Sequence, residues 1–372
     1  MRVALVPSAY APAVGGVEEL TARLAARLAS SGDEVEVWTI RHPSDLPADE
    51  VVEDVRVRRF DVPLPALRPR SLAYPVAARH AFRAFARAER RFRPDVMHVV
   101  CFSANGVYAT ALAERRRLPL VISLQGETVM DDGDIYDRSL ALRLGLRLGL
   151  RRAAAATACS RFVLDDAERR FGLQSGRGRV IPNAVERDGD AEPVSLQLPF
   201  NRFVLALGRV VHKKGFDLLL DAFARLARPG LGLVIGGDGP EREPLLRRAA
   251  ELGLGGRVAL PGALSRGQVA WATAHADVFV LPSRVEPFGI VVLEALRGGS
   301  PVVVSSRGGA NEIVTDGREG LVVDPYDAPA LAAAIERMLD APPTTDVLHA
   351  RAAEFSWDAI AERYRELYRE VA

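Results

Sequence analysis

The sequence predicts an α/β protein of two domains, each with a mostly parallel sheet covered by helices. Three observations lead there. Through the first half, short β-rich runs alternate with amphipathic helical stretches, the strand–helix–strand rhythm of a parallel sheet. That rhythm breaks over 186–200, where Glu186-Arg187-Asp188-Gly189-Asp190-Ala191-Glu192-Pro193 is polar and aperiodic like an interdomain linker, and then restarts. The length, 372 residues, suits two or three domains.

Each element has its reason. Residues 2–6, Arg-Val-Ala-Leu-Val, meet Pro7 at once, which reads as a first strand and is too short for a signal peptide. Val17, Leu20, Leu24 and Leu28 recur every three or four residues and make one helical face, which Gly32 ends. Strands follow at 34–40, 96–100 and 120–124, with a helix near 76–93. Beyond the break, strands are expected at 203–207, 231–235, 258–260, 278–281, 301–305 and 321–323, with helices between them.

Composition narrows the function classes. A hydrophobic fraction of 48% and a charged fraction of 26% belong to a globular chain, not a disordered, collagenous or disulfide-stapled one. Lys+Arg is 49 against Asp+Glu 48, so there is no global pull toward nucleic acid. Cys101 and Cys159 lack a CxxC partner and read as buried free thiols in a reducing cytoplasm. The six histidines show no zinc-binding spacing, and no apolar run approaches the roughly 18 residues of a membrane span.

In open parallel sheets, ligands sit outside the carboxyl ends of the strands, so two such domains would hold theirs in the cleft between them. The residues after the strands are therefore the informative ones. After the strand ending at Leu281 comes Pro282-Ser283-Arg284-Val285-Glu286-Pro287-Phe288-Gly289, then a helix carrying Glu294. The first amides of that helix, those of Gly289, Ile290 and Val291, form an anion site that the helix dipole assists. A carboxylate accepts hydrogen bonds from neighbouring hydroxyls. Two carboxylates flanking a diphosphate describe a nucleotide sugar, with ribose on one side and hexose on the other.

Gly208-Arg209-Val210-Val211-His212-Lys213-Lys214-Gly215 follows the first strand of the second half and suits a phosphate clamp. Lys213 and Lys214 are the only two lysines in the chain, so a compact ammonium is retained where guanidinium is the norm elsewhere. Gly15-Gly16-Val17-Glu18 allows close backbone approach after the first strand. The dinucleotide pattern GxGxxG is absent, and Gly236-Gly237-Asp238-Gly239-Pro240 fails it because Arg242 stands where the last glycine should be. That counts against NAD or FAD.

These pieces, with Ala158-Cys159-Ser160-Arg161-Phe162, Ile181-Pro182-Asn183-Ala184-Val185 and Arg307-Gly308-Gly309-Ala310-Asn311-Glu312, occur in an order that resembles retaining glycosyltransferase family 4 over nearly the whole chain. The resemblance implies the GT-B fold, two Rossmann-like α/β/α domains facing each other across a cleft. Residues 1–190 would bind acceptor and 198–355 the nucleotide-sugar donor, with a final helix at about 356–372 crossing back to the first domain. It implies that Arg209 and Lys214 hold the donor diphosphate, that Glu286 binds the donor sugar and that Glu294 binds the ribose. The amides of Gly16, Ile290 and Val291 would complete the diphosphate cradle, Gly15, Phe288 and Gly289 would also belong to the donor site, and Ala263 and Leu264 would face the nucleobase.

One departure stands out. Gln125 occupies the place of the family's usual histidine, and a carboxamide carries no proton at neutral pH. It would orient the donor sugar rather than act as a base. The implied reaction moves a hexosyl or N-acetylhexosaminyl group, from a UDP-linked donor, to an acceptor hydroxyl with retention, needing neither metal nor cofactor. A phosphorylase, a nucleotide-sugar epimerase and a low-activity nucleotide-sugar-binding protein are the alternatives.

Two features stay outside that scheme. Asp131-Asp132-Gly133-Asp134 reads as a solvated acidic loop or as a contact for a cationic acceptor. Arg79, Arg83, Arg87, Arg90, Arg91 and Arg93 make one basic helix, and Arg143, Arg147 and Arg151 run beside Leu140, Leu144 and Leu148 on another. Such helices either snorkel their arginines around a core-facing stripe or lie peripherally on an anionic inner-membrane surface.

Overall fold

The computed structural model describes residues 1–13, 15–63, 74–130, 135–186 and 191–372. The chain divides into two compact units, Met1–Pro182 with Trp357–Ala372, and Asn183–Ser356. The acidic run at 131–134 lies outside the described residues.

In chain order the first unit contains β1 (Arg2–Pro7), α1 (Gly16–Ser30), β2 (Glu34–Ile40), β3 (Asp49–Val52), β4 (Val55–Phe60), α2 (Tyr74–Phe92), β5 (Val96–Val100) and α3 (Ala104–Arg116). It continues with β6 (Leu120–Leu124), α4 (Ile135–Arg138), α5 (Leu140–Arg152), β7 (Ala155–Ala158), α6 (Arg161–Phe171) and β8 (Gly178–Val180). The strands form one sheet in the order β3-β4-β2-β1-β5-β6-β7-β8. All its pairings are parallel except the β3–β4 hairpin. Every residue of β5 and β6 is buried, because helices cover both faces of a parallel sheet and both sets of side chains must be apolar or paired.

The expected strands are present to within a residue or two at their ends, and the sequence missed β3, β4, β7 and β8. Strand β4 reads Val-Arg-Val-Arg-Arg-Phe, an arginine-rich run that looks like solvated surface. Its guanidiniums are satisfied by neighbouring strands instead. Arg58 donates to both carboxylate oxygens of Glu36 at 2.7 and 2.8 Å, and Arg59 pairs with Glu50. Strand β7 is alanine-rich and favours helix by intrinsic propensity; pairing with β6 and β8 overrides that.

The second unit runs β9 (Arg202–Leu207), α7 (Phe216–Phe223), β10 (Leu231–Gly236), α8 (Arg242–Glu251), β11 (Val258–Gly262), α9 (Arg266–His275) and β12 (Val278–Leu281). Then follow α10 (Ile290–Gly298), β13 (Val302–Ser305), β14 (Gly320–Val323), α11 (Ala328–Asp340) and α12 (Thr345–Ala353). The sheet order is β11-β10-β9-β12-β13-β14. Counted within the unit, that is the doubly wound order 3-2-1-4-5-6. Val204, Leu233, Val278, Val303 and Leu331 are among the residues that make its core. The order reverses between the adjacent strands β9 and β12. Their carboxyl-end loops are therefore where a ligand is expected.

The stretch read as a linker, 186–200, carries no helix or strand among its described residues, and most of 191–200 is exposed. Residues 183–186 join the second unit, where the Val185 amide donates to the Phe355 carbonyl at 2.9 Å. The division therefore falls after Pro182 rather than at 190. Farther on, the Val194 amide donates to the Gly267 carbonyl at 2.9 Å and Leu196 is buried. Residues 187–190 lie outside the described residues. The final helix, α13 (Trp357–Val371), returns to the first unit. There Tyr368 hydroxyl lies 2.6 Å from His98 Nδ1, and His98 Nε2 lies 2.6 Å from Ser123 Oγ. Among the described residues, no helix is long and apolar enough to cross a membrane.

Candidate active site

In the second unit the loops after β9 and β12 are bound to one another. The Arg284 amide donates to the Lys213 carbonyl at 2.8 Å. The Arg284 guanidinium grips Asp217 through both carboxylate oxygens at 2.7 and 2.6 Å. Burial works against ionisation of Asp217, but the Arg284 hydrogen bonds and charge hold its carboxyl below the usual range. Gly215, in the left-handed region at φ 68°, abuts the Pro282 carbonyl so closely that a Cβ has no room.

This framework brings two predicted residues together. Lys214 Nζ donates to Glu286 Oε2 at 2.6 Å, with the side chains 12% and 7% exposed. Ser283 Oγ donates to the same oxygen at 3.1 Å. Glu286 Oε1 takes no hydrogen bond among the described residues, so one carboxylate oxygen is locked and the other is available to a hydroxyl. The Glu286 main chain is fixed too. Its carbonyl accepts from the Gly309 amide at 2.7 Å and its backbone bridges Gly308. Gly308, at φ 129°, leaves no space for a Cβ against that carbonyl.

Gly289 sits at φ 94° as the N-cap of α10, a conformation glycine adopts without strain. The amides of Ile290 and Val291 open the helix and have no intrahelical acceptor. Glu294 lies farther along the same helix and is half-buried. Arg209 is exposed on the β9 loop. Ala263 is exposed after β11, while the Leu264 side chain packs against the end of β10 at Gly236. Phe288 is the member whose side chain does not fit a ligand role: it is buried, 6.1 Å from the Phe355 ring.

The sequence missed Ser283 and the role of one glycine pair, Gly237 and Gly239. These two are there because the carbonyls of Gly208 and Val210 press on them. The Val210 amide donates to the Asp238 carbonyl at 2.8 Å. The Gly236-Gly237-Asp238-Gly239 run is thus a brace for the Arg209 loop rather than a failed dinucleotide site. One glycine-rich run after β10, matched by the glycines that flank the loop after β9, was the available signal.

In the first unit, Gly15 caps α1 and Gly16 opens it, with nothing within 4 Å of the position a Gly16 Cβ would take. Gln125 follows β6. Both polar atoms of its carboxamide are buried and make no hydrogen bond of good geometry among the described residues, although such groups normally find a partner; the Tyr364 hydroxyl is its polar neighbour. Its amide N–H donates to Glu127 Oε2 at 2.6 Å, and the Phe102 amide donates to Glu127 Oε1 at 2.7 Å. Burial pushes the Glu127 carboxyl up to about 7, against the pull of those amides. Cys101, whose buried thiol is likewise pushed up by burial, lies beside it. Sequence reasoning did not single out Glu127.

Comparison with known proteins agrees with this architecture. Residues 15–184 match the model for a glycosyl transferase 4-like domain, and 194–355 that for glycosyl transferases group 1. A glycogen synthase of Mycobacterium tuberculosis is 30% identical over 99% of this chain and 94% of its own. Sucrose-phosphate synthase from Thermosynechococcus elongatus superposes with a TM-score of 0.80 at 25% identity, covering 99% of this chain and 98% of its own. Anabaena Alr3699/HepE, solved in complex with UDP-glucose, superposes with a TM-score of 0.74 at 20% identity over the full length of both chains. The chain belongs to glycosyltransferase family 4, with the two parallel-sheet α/β units of the GT-B class. It is a glycosyltransferase that uses a nucleotide sugar.

Proposed function

We propose that this enzyme moves a hexosyl group, or its N-acetylhexosaminyl counterpart, from a UDP-linked donor to an acceptor hydroxyl with retention of anomeric configuration. The observation that carries the reading is Glu286, anchored by Lys214 and Ser283 through Oε2 and open at Oε1, in front of the first turn of α10. Oε1 would accept from a hydroxyl of the donor sugar, and Glu294 from the ribose. Arg209, Lys214 and the amides of Ile290 and Val291 would meet the diphosphate. UDP is chosen because the Anabaena relative was solved with UDP-glucose.

In the transfer, the bond between the anomeric carbon and the diphosphate oxygen breaks as the acceptor oxygen bonds to that carbon. The acceptor proton passes to the departing phosphate oxygen on the same face, which retains configuration and requires no side-chain base. That suits Gln125, which would orient the sugar through a buried carboxamide that makes no hydrogen bond of good geometry among the described residues. The Gly15-Gly16 turn is proposed as a further donor contact on the resemblance. The leaving charge is balanced by side-chain cations and amides, each such donor contributing roughly 3–4 kcal/mol, so the reaction should proceed without a divalent cation. The two buried free thiols support a reducing, cytoplasmic setting.

A thermal-shift panel of UDP, GDP, ADP and TDP sugars tests the donor. Ligand at 100 times Kd should stabilise by about 2.7 kcal/mol. NMR of the product anomer tests retention. The reading fails if no nucleotide sugar shifts the melting curve, or if the product is inverted.

A further inference from the structure

In the first unit, α2, α3 and α5 form one helical layer with α3 packed between the other two. The layer is strongly basic in a chain whose net charge is +1. These three helices, with Arg93 and Arg117 at their ends, carry thirteen arginines against two glutamates. Both glutamates are already paired, Glu89 with Arg116 at 3.0 Å and Glu114 with Arg152 at 2.9 Å. On α2, Arg79, Arg83, Arg87 and Arg90 recur at helical spacing and are all exposed.

Helix α5 adds an apolar ridge. Leu140, Leu144 and Leu148 are 68%, 51% and 45% exposed, while Leu142, Leu146 and Leu150 are buried on the other side. One of the two sequence readings, arginines snorkelling around a core-facing stripe, requires Leu140, Leu144 and Leu148 to face inward, and they face outward. At 3.6 residues per turn they align along about 12 Å of the helix, with Arg147 and Arg151 in the same sector and Arg143 on its flank. Arg143 and Arg151 make no ion pair among the described residues.

We propose that this face docks on an anionic lipid bilayer, with the leucines entering the interface and the arginines meeting headgroup phosphates. A single-sign field of this size asks for a polyanionic partner. Three aligned, exposed leucines gain nothing against a nucleic-acid backbone, whereas a bilayer interface accepts apolar side chains and positive charge side by side. Each arginine near an anionic surface strengthens binding about fivefold.

Co-sedimentation with extruded vesicles tests the proposal, using phosphatidylcholine alone or mixed with phosphatidylglycerol at low and high salt. The full chain should bind the phosphatidylglycerol vesicles at least ~10-fold better than the neutral ones, and salt should weaken this. Arg143→Glu with Arg151→Glu should lower binding ~25-fold or more. Leu144→Gln with Leu148→Gln should lower it about tenfold and leave a salt-sensitive remainder. All four side chains are at the surface, and near-UV circular dichroism with the donor thermal shift confirms that each variant is folded. The pair Arg79→Glu with Arg83→Glu gives a second charge test on α2. The proposal is overturned if the unaltered chain ignores phosphatidylglycerol vesicles, if both α5 variants bind like it, or if it prefers a random DNA duplex with an affinity the leucine variant does not change. None of these outcomes depends on which donor the enzyme uses.

Discussion

Replacing Lys214 by alanine separates the roles assigned in the second unit. The ammonium lies 2.6 Å from Glu286 Oε2 and both side chains are largely buried. Removing one partner of a fully buried pair costs about 3–5 kcal/mol. Here Ser283 still donates to the abandoned oxygen and residual exposure admits water, so about 2–3 kcal/mol is expected. For a unit of this size that lowers Tm by roughly 5–10 °C. Catalysis should suffer separately. Losing one preorganised donor to the leaving diphosphate should reduce kcat by about 10²–10³. Affinity for the nucleoside diphosphate should fall at least about tenfold.

Glu286→Gln keeps the shape and loses the charge. It should reduce kcat through the sugar while leaving nucleoside diphosphate affinity unchanged or raised, because the ammonium is no longer neutralised. The assay is differential scanning fluorimetry together with donor turnover and calorimetric titration of UDP. If Lys214→Ala melts lower yet binds UDP and turns over like the unaltered enzyme, Lys214 is only a strut for Glu286 and the clamp is refuted.

Three further outcomes are expected. Burial lowers His98 to about 3, so between that value and about 6.5 the unfolded state binds the extra proton and stability rises with pH. His98→Gln should therefore lose about 2 kcal/mol less than the unaltered chain on going from pH 7 to 5, measured by urea unfolding; equal losses would refute it. Glu127 is raised to about 7, so its contribution has the opposite sense: present at low pH and lost as pH rises toward 7. Glu127→Gln should flatten any inflection of kcat/KM near neutrality, and an unchanged profile means its ionisation is not felt at the site. Gly308→Ala forces a Cβ into the Glu286 carbonyl at φ 129°, and should destabilise by at least about 2 kcal/mol. Gly317→Ala, also at positive φ but with nothing within 4 Å, should cost only about 1 kcal/mol in the same melt.

The residues that could be read from sequence share a physical basis. Strand β12 is a continuous apolar run, and β5 and β6 are apolar but for His98 and Ser123, because helices cover both faces. Glycines and prolines punctuate their carboxyl ends, so the loops carrying Lys214 and Glu286 were found where open sheets expose ligands. What escaped was decided by partners distant in sequence. Arg58 belongs in a strand only because Glu36 stands across from it. Ser283 matters only because its hydroxyl reaches the same oxygen as Lys214. Glu127 is perturbed because the chain folds the Phe102 and Gln125 amides onto it. The outward leucines of α5 carry the same spacing as inward ones, and periodicity does not say which face meets the core.

The geometry around Lys214 also explains why an arginine-rich chain keeps lysine there. Lys214 Cε would lie 3.4 Å from a Cβ on Gly208, and Ser283 occupies another approach to Glu286 Oε2. A guanidinium prefers to bind a carboxylate through both oxygens. Here that would occupy Oε1 as well as Oε2, and would remove the one oxygen left for a sugar hydroxyl. An ammonium holds the carboxylate by a single oxygen, and its remaining two hydrogens are free to serve a phosphate. On the proposed roles, the same ion pair would fix the sugar-binding group and keep a cation at the diphosphate, which a bidentate arginine at this position would not do.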